Sequence, residues 1–148
     1  MLKIEVINQE KDFEQLPISR EDYVDFLYTH LDQFGDEKSA INKCLDFAFE
    51  KNGGLGGFLL AGFDDDKLVG ALVMNKTGMS EFIPENILVY VAVHESMRGK
   101  GMGRDIITKA LNLAEGNVKL HVEYENPAKR LYERIGFKSK YAEMRFDK

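Results

Sequence analysis

Residues 87–111 read ILVYVAVHESMRGKGMGRDIITKAL. A wholly apolar run, Ile87–Val93, passes through a short polar turn into Arg98-Gly99-Lys100-Gly101-Met102-Gly103-Arg104. Apolar residues then recur at helical spacing as Ile106, Ile107, Ala110 and Leu111. The pattern is buried strand, glycine-rich basic loop, helix. A helix start leaves backbone N–H groups without partners and carries partial positive charge, so it is a natural seat for a phosphate. Glycines allow close approach to the backbone, and Arg98, Lys100 and Arg104 add full charges.

The remaining sequence sets bounds on what such a cradle serves. At 148 residues and 44% apolar composition, the chain is expected to form one domain, 1–148, with a substantial core. A net charge of −5 excludes a generally basic nucleic-acid binder and favours a cationic substrate. The single cysteine, Cys44, suits a reducing compartment. No run approaches the ~20 apolar residues of a membrane span, and the first residues lack a signal-peptide core, so a cytoplasmic protein is expected.

Leu2–Ile7 alternates as a half-buried strand does. Ser19 with Asp22 resembles a capping box opening a helix that stops near Gly35, and a second helix is expected from about 37 to 51. Cys44 falls on its buried stripe. Phe58–Phe63 and Leu68–Met74 around Asp64-Asp65-Asp66-Lys67 form a hairpin. Residues 77–86 are a polar connector carrying Glu81 and Glu85. After the helix at about 103–114 come a strand, Val118–Val122, and a last helix opened by Asn126-Pro127. Phe137 and Tyr141–Phe146 are expected as terminal strands. The order indicates a mixed α/β (α+β) domain without regular alternation.

The loop departs from two nucleotide-binding patterns. A dinucleotide fingerprint needs a glycine where Arg104 stands, and a Walker loop needs Lys-Ser/Thr where the sequence gives Arg104-Asp105. What remains, Arg98-x-x-Gly101-x-Gly103 after an apolar strand, resembles the coenzyme-A motif of GNAT-type N-acetyltransferases, Q/R-x-x-G-x-G/A. A second stretch is similar to that family's ending: Asn126, Ala128, Leu131-Tyr132 and Gly136-Phe137, with the alanine one position early.

The resemblance implies the acyl-CoA N-acyltransferase fold: a mixed, mostly antiparallel sheet splayed between its fourth and fifth strands and flanked by about four helices. It implies acetyl-CoA as co-substrate. The pantetheine arm would pair with backbone at Val91, Ala92 and Val93 as a pseudo-strand, and the pyrophosphate would sit on Gly99, Lys100, Gly101, Met102, Gly103 and Arg104 beside Arg98. Asn126 would reach the coenzyme, cap its helix, or do both. Tyr132 matches the family's proton donor; a core aromatic is its other reading. The position of the family's strand glutamate is Ile87 here. The base is left to His121, which aligns with a second glutamate position, or to Glu123 two residues on. A hydrogen-bonded structural histidine is the alternative for His121. Glu81 and Glu85 could approach an ammonium group. His30 and His94 have no motif role, and no metal is expected. The function implied is acetyl transfer from acetyl-CoA to a primary amine of a small molecule or peptide, by a monomer or homodimer. A non-catalytic acyl-CoA-binding or regulatory module is the alternative.

Overall fold

The apolar runs pair into one sheet. A computed structural model describes residues 1–148, with strands in the order β1 (Leu2–Ile7), β2 (Gly57–Asp64), β3 (Lys67–Lys76), β4 (Asn86–Val93) and β5 (Val118–Leu120). Neighbours from β1 to β4 are antiparallel. β5 joins β4 in parallel after a crossover through α3 (Met102–Leu113), as parallel pairing requires. The sheet is therefore mixed and mostly antiparallel, as the family resemblance implies.

Helices cover both faces. α1 (Arg20–Leu31) and α2 (Lys38–Ala48) pack Tyr23, Leu27, Ile41 and Leu45 against Leu59, Ala61, Ala71 and Val73. α3 and α4 (Ala128–Ile135) pack Ile106, Ile107 and Tyr132 against Leu60, Leu72 and Met74. Burial on both sides explains why the inner strands read as continuous apolar runs rather than as an alternation. No helix is long and apolar enough to cross a membrane.

α1 begins with the reciprocal cap expected of Ser19 and Asp22. The Ser19 hydroxyl accepts the Asp22 N–H at 3.1 Å, and Asp22 Oδ2 accepts the Ser19 N–H at 2.9 Å. Aspartate thus serves where glutamate is usual. Ahead of it, Glu10–Gln15 forms a 3-10 turn that no periodicity announces.

One packing detail seats α3 on the sheet. Gly62 and Gly70 face each other across β2 and β3, and both lie under Met102, the first residue of α3. A Cβ at Gly62 would come within 3.0 Å of the Met102 sulfur, and one at Gly70 within 3.4 Å. The paired glycines form a slot, and the Met102 side chain, 2% exposed, fills it.

Two expectations about the end of the chain need correction. β5 stops at Leu120 rather than Val122, and no strand follows α4. Phe137 closes α4 instead: its N–H donates to Tyr132 O at 3.0 Å and its ring meets the Tyr132 ring edge-on at 5.9 Å. Tyr141, Met144 and Phe146 are exposed. Residues 141–146 join no strand of the sheet.

The slot predicts a paired outcome. Gly62→Val should destabilise the protein by about 1–3 kcal/mol in urea denaturation, because a branched side chain overfills the space under Met102. In a Met102→Ala background the same change should cost less, since valine then occupies freed volume. Equal costs in both backgrounds would contradict the slot.

Candidate active site

β4 is paired on both sides for only part of its length. It meets β5 at Asn86, Leu88 and the Ile87 between them, and from Val89 onward it has no partner on that side. On the β3 side, Val73 pairs with Tyr90 and Met74 with Leu88, so Val89 is an extra residue. This is a β-bulge. Its effect shows in the packing: Val89 and Tyr90 both face the α1/α2 core, after which Val91 and Val93 face the α3/α4 core and Ala92 the other. The bulge and the missing ladder leave backbone groups of residues 89–93 lining an open side of the sheet.

That open side leads to the glycine-rich loop. His94 N–H still bonds to Val69 O at 2.8 Å, and a short 3-10 turn, Glu95–Met97, anchored by buried Met97, leads to Arg98. Gly99 and Gly101 have φ of 76° and 83°, and a Cβ at either would meet nothing within 4 Å. The positive φ there calls for glycine, while the surroundings stay open. Asp105 is the first residue of α3 to bond back, to Gly101 O at 2.9 Å, which leaves the N–H groups of Met102, Gly103 and Arg104 pointing out of the helix start. Arg98, Lys100 and Arg104 are exposed around it. Gly103 differs from the other two: a Cβ there would lie 3.2 Å from Leu131 of α4 and 3.8 Å from Val93. It lets α3, α4 and β4 converge. Met102 faces the loop with its backbone N–H alone, its side chain being the plug of the glycine slot.

α4 supplies the opposite wall. Asn126 Oδ1 accepts the Ala128 N–H at 2.9 Å, so the side chain caps α4 from one position further back than its residue order suggests. The capping role is met, and the amide Nδ2 stays available to a ligand. Tyr132 is 8% exposed and shares one apolar cluster with Val91, Val93 and Val122. Burial pushes its phenol up to about 12, so it holds its proton throughout the physiological range. The hydroxyl itself is not sealed from solvent.

His121 and Glu123 lie beyond the end of β5. Val122 between them packs inward with Tyr132, and both flanking side chains are exposed. Burial and then the Lys119 charge lower the His121 pKa below its ordinary value, which keeps the ring neutral near pH 7. Its Nδ1 lies 4.0 Å from Glu143 Oε1. Glu85 is occupied elsewhere: its carboxylate accepts the Asn117 N–H at 2.7 Å and the Glu81 N–H at 3.3 Å, tying the β3–β4 connector to the α3–β5 turn. Those bonds hold its pKa down and explain the residue without a substrate.

Two further contacts border the open side, and sequence reasoning missed both. Tyr90 donates its hydroxyl to Asp36 Oδ2 at 2.5 Å, from β4 to the α1–α2 connection. At the end of α1, His30 stacks between Phe26, at 4.3 Å, and His94, at 4.9 Å. Tyr90 looked like one more apolar residue of a buried strand, and nothing local to either histidine signals a partner far along the chain.

A family model for the acetyltransferase (GNAT) domain matches residues 55–139, more than half of the chain. The chain belongs to the GNAT acetyltransferase family. The match spans the hairpin, the bulged strand, the cradle, and the asparagine-tyrosine ending. Solved structures share the fold across nearly the full length. An aminoglycoside antibiotic 6'-N-acetyltransferase from Acinetobacter haemolyticus is 12% identical, with a TM-score of 0.68 over 99% of this chain and 97% of that one. A GNAT family acetyltransferase from Staphylococcus aureus is 18% identical, with a TM-score of 0.64 over 99% and 98%. A transcriptional regulator from Bacillus halodurans C-125 is 15% identical, with a TM-score of 0.69 over 99% of both chains. No curated protein sequence matches the chain.

In this GNAT domain the histidine pair predicts an acid-side loss of stability. Burial, then the charge of His94, lowers the His30 pKa; Arg98 and Lys67 act in the same sense, and Glu95 opposes them. The unfolded chain takes up a proton below its ordinary value near ~6.5 while the folded state lags, so stability is full above that value and lost as pH falls through the folded value. Urea midpoints should therefore drop as the pH falls below about 6.5, and His30→Phe, which keeps the ring stack, should flatten part of that drop. An unaltered drop in the variant would contradict the assignment.

Proposed function

We propose that residues 1–148 act as one catalytic domain, an N-acetyltransferase that moves the acetyl group of acetyl-CoA to a primary amine by direct attack. The observation that carries this reading is the combination of β4, without a ladder partner from Val89 onward, and the outward N–H groups of α3 at its end. Together they offer an extended ligand with amides at one end and a diphosphate at the other the two kinds of partner it needs. Acetyl-CoA supplies the acyl group as a thioester. Val91 and Val93 hold its arm through their backbone groups, and the loop from Gly99 to Arg104 holds the diphosphate, with Arg98, Lys100 and Arg104 neutralising charge. Asn126, while capping α4, adds an amide donor from the far wall.

The protein's part in the chemistry is proton management and electrostatics. An alkylamine has a pKa near ~10.4 and must lose a proton to attack. His121, neutral near pH 7 and exposed, takes that proton through water, with Glu123 as the neighbouring alternative. The amine nitrogen forms the amide bond as the carbon–sulfur bond breaks; Tyr132 donates its proton to the departing sulfur, and the second N–H proton, which the nitrogen sheds on becoming an amide, restores the phenol. Burial raises the proton affinity of a thiolate as it does that of the phenol, so transfer from so weak an acid is not opposed by the site. Backbone N–H groups at the bulge stabilise the carbonyl oxygen. The net charge of −5 suits a cationic small molecule or peptide amine. A half-buried, free Cys44, its thiol pushed up to about 12 by burial, is unreactive as an acyl carrier and compatible with a cytoplasmic setting.

Thiol release from acetyl-CoA, followed over a panel of amines, tests the reading. Wild-type protein should turn over, and Tyr132→Phe should lower kcat by about 10²-fold or more while the acetyl-CoA Kd stays unchanged. Unchanged kcat would remove Tyr132 from the reaction; tight acetyl-CoA binding with no turnover on any amine would replace the enzyme by a binding module. Separately, acetyl-CoA at a hundredfold excess over its Kd should stabilise the wild type by about 2.7 kcal/mol. Gly101→Glu, which puts a carboxylate where the diphosphate is held, should abolish that stabilisation. Persistence of the effect would overturn the cradle.

A further inference from the structure

Tyr90 carries the only polar side-chain group in the stretch of β4 that lacks β5. The residue is 8% exposed, yet its hydroxyl is bonded to Asp36, a residue of the connection between α1 and α2 that is itself exposed. A length of 2.5 Å is that of a hydroxyl donating to a charged carboxylate. A buried phenol without a partner is costly, so the connection is drawn to wherever it can supply one. The same corner of the fold is pinned a second time where β4 ends, by His30 against His94. The two pins thus hold the α1–α2 corner at the start and at the end of the stretch without β5.

The connection held in this way also borders a surface cleft, lined by Tyr28, Asp32, Gly35, Asp36 and Glu37.

We infer that Tyr90 is a positioning residue for the acceptor: its bond to Asp36 sets where the α1–α2 corner sits over the bulged strand, and so shapes the opening through which an amine reaches the acetyl carbon. This inference rests on the acetyl-transfer reading, and it separates donor from acceptor. The pantetheine is held by β4 backbone and the diphosphate by the α3 start, neither of which involves the hydroxyl. Losing the hydroxyl leaves the donor's contacts intact and loosens the acceptor's side alone.

The test compares Tyr90→Phe, Asp36→Ala and Asp36→Asn with the wild type in two measurements: amide hydrogen exchange of residues 32–37, and the KM for amine beside the Kd for acetyl-CoA. Tyr90→Phe and Asp36→Ala should each speed exchange in 32–37 and raise the amine KM roughly tenfold, as expected for loss of one charge-assisted bond, with the acetyl-CoA Kd unchanged. Asp36→Asn keeps an oxygen able to accept from Tyr90 and should stay nearer to wild type in exchange. The inference is overturned if Tyr90→Phe leaves exchange at 32–37 as in the wild type, or if it shifts the acetyl-CoA Kd as much as the amine KM. A wild type that acetylates no amine would instead refute the proposed function, and the exchange comparison would still decide whether the bond holds the corner.

Discussion

The structure depends on a ladder that stops. β4 and β5 share parallel pairing only from Asn86 to Leu88, after which β4 continues to Val93 alone on that side. Unpaired backbone inside a folded sheet is normally satisfied, so an interior strand left half-paired needs a local cause. The cause is the bulge at Val89, which turns two successive side chains, Val89 and Tyr90, to one face and bends the strand away. Everything placed around the site answers to that bend: Val91 and Val93 turn to the α3/α4 side, and Tyr90 reaches Asp36 on the other.

A second constraint keeps the end of β4 and the start of α3 in register with the sheet. Met102 locks α3 over Gly62 and Gly70, while Gly103 lets Leu131 and Val93 close in beside it. The outward N–H groups of the helix start are thus held by a plug of ordinary core packing, and the positive-φ glycines before it shape a loop that nothing crowds. In the proposed reading, recognition chemistry and hydrophobic packing meet in adjacent residues, Gly101 in the first role and Met102 in the second.

Much of this was legible in the sequence where a pattern is local. The strand, loop and helix from Ile87 to Leu111 and the Ser19–Asp22 cap speak through near neighbours, so spacing identifies them, and the asparagine-tyrosine ending is read through its resemblance to a family motif. Other features depend on partners far along the chain. The apolar run Ile87–Val93 gives no sign of where pairing with β5 ends, because the side chains are apolar either way. Tyr90 and Asp36, or His30 and His94, meet only through the tertiary fold. The strand expected at Tyr141–Phe146 failed for the same reason: pairing needs an edge, and where an edge lies is set by the tertiary fold. Glu85 looked like a candidate for a cationic substrate because acidic residues in connectors are ambiguous until their backbone partners, here Asn117 and Glu81, are known.

The central claim is that the gap beside β4 and the start of α3 form one binding surface for acetyl-CoA. Diffraction from crystals grown with the coenzyme tests it most directly. The account predicts pantetheine amides hydrogen-bonded to the backbone of Val91 and Val93, and a diphosphate on the N–H groups between Gly99 and Arg104. A coenzyme bound elsewhere, a chain that takes none, or a β5 that pairs with β4 through Val93 would contradict it.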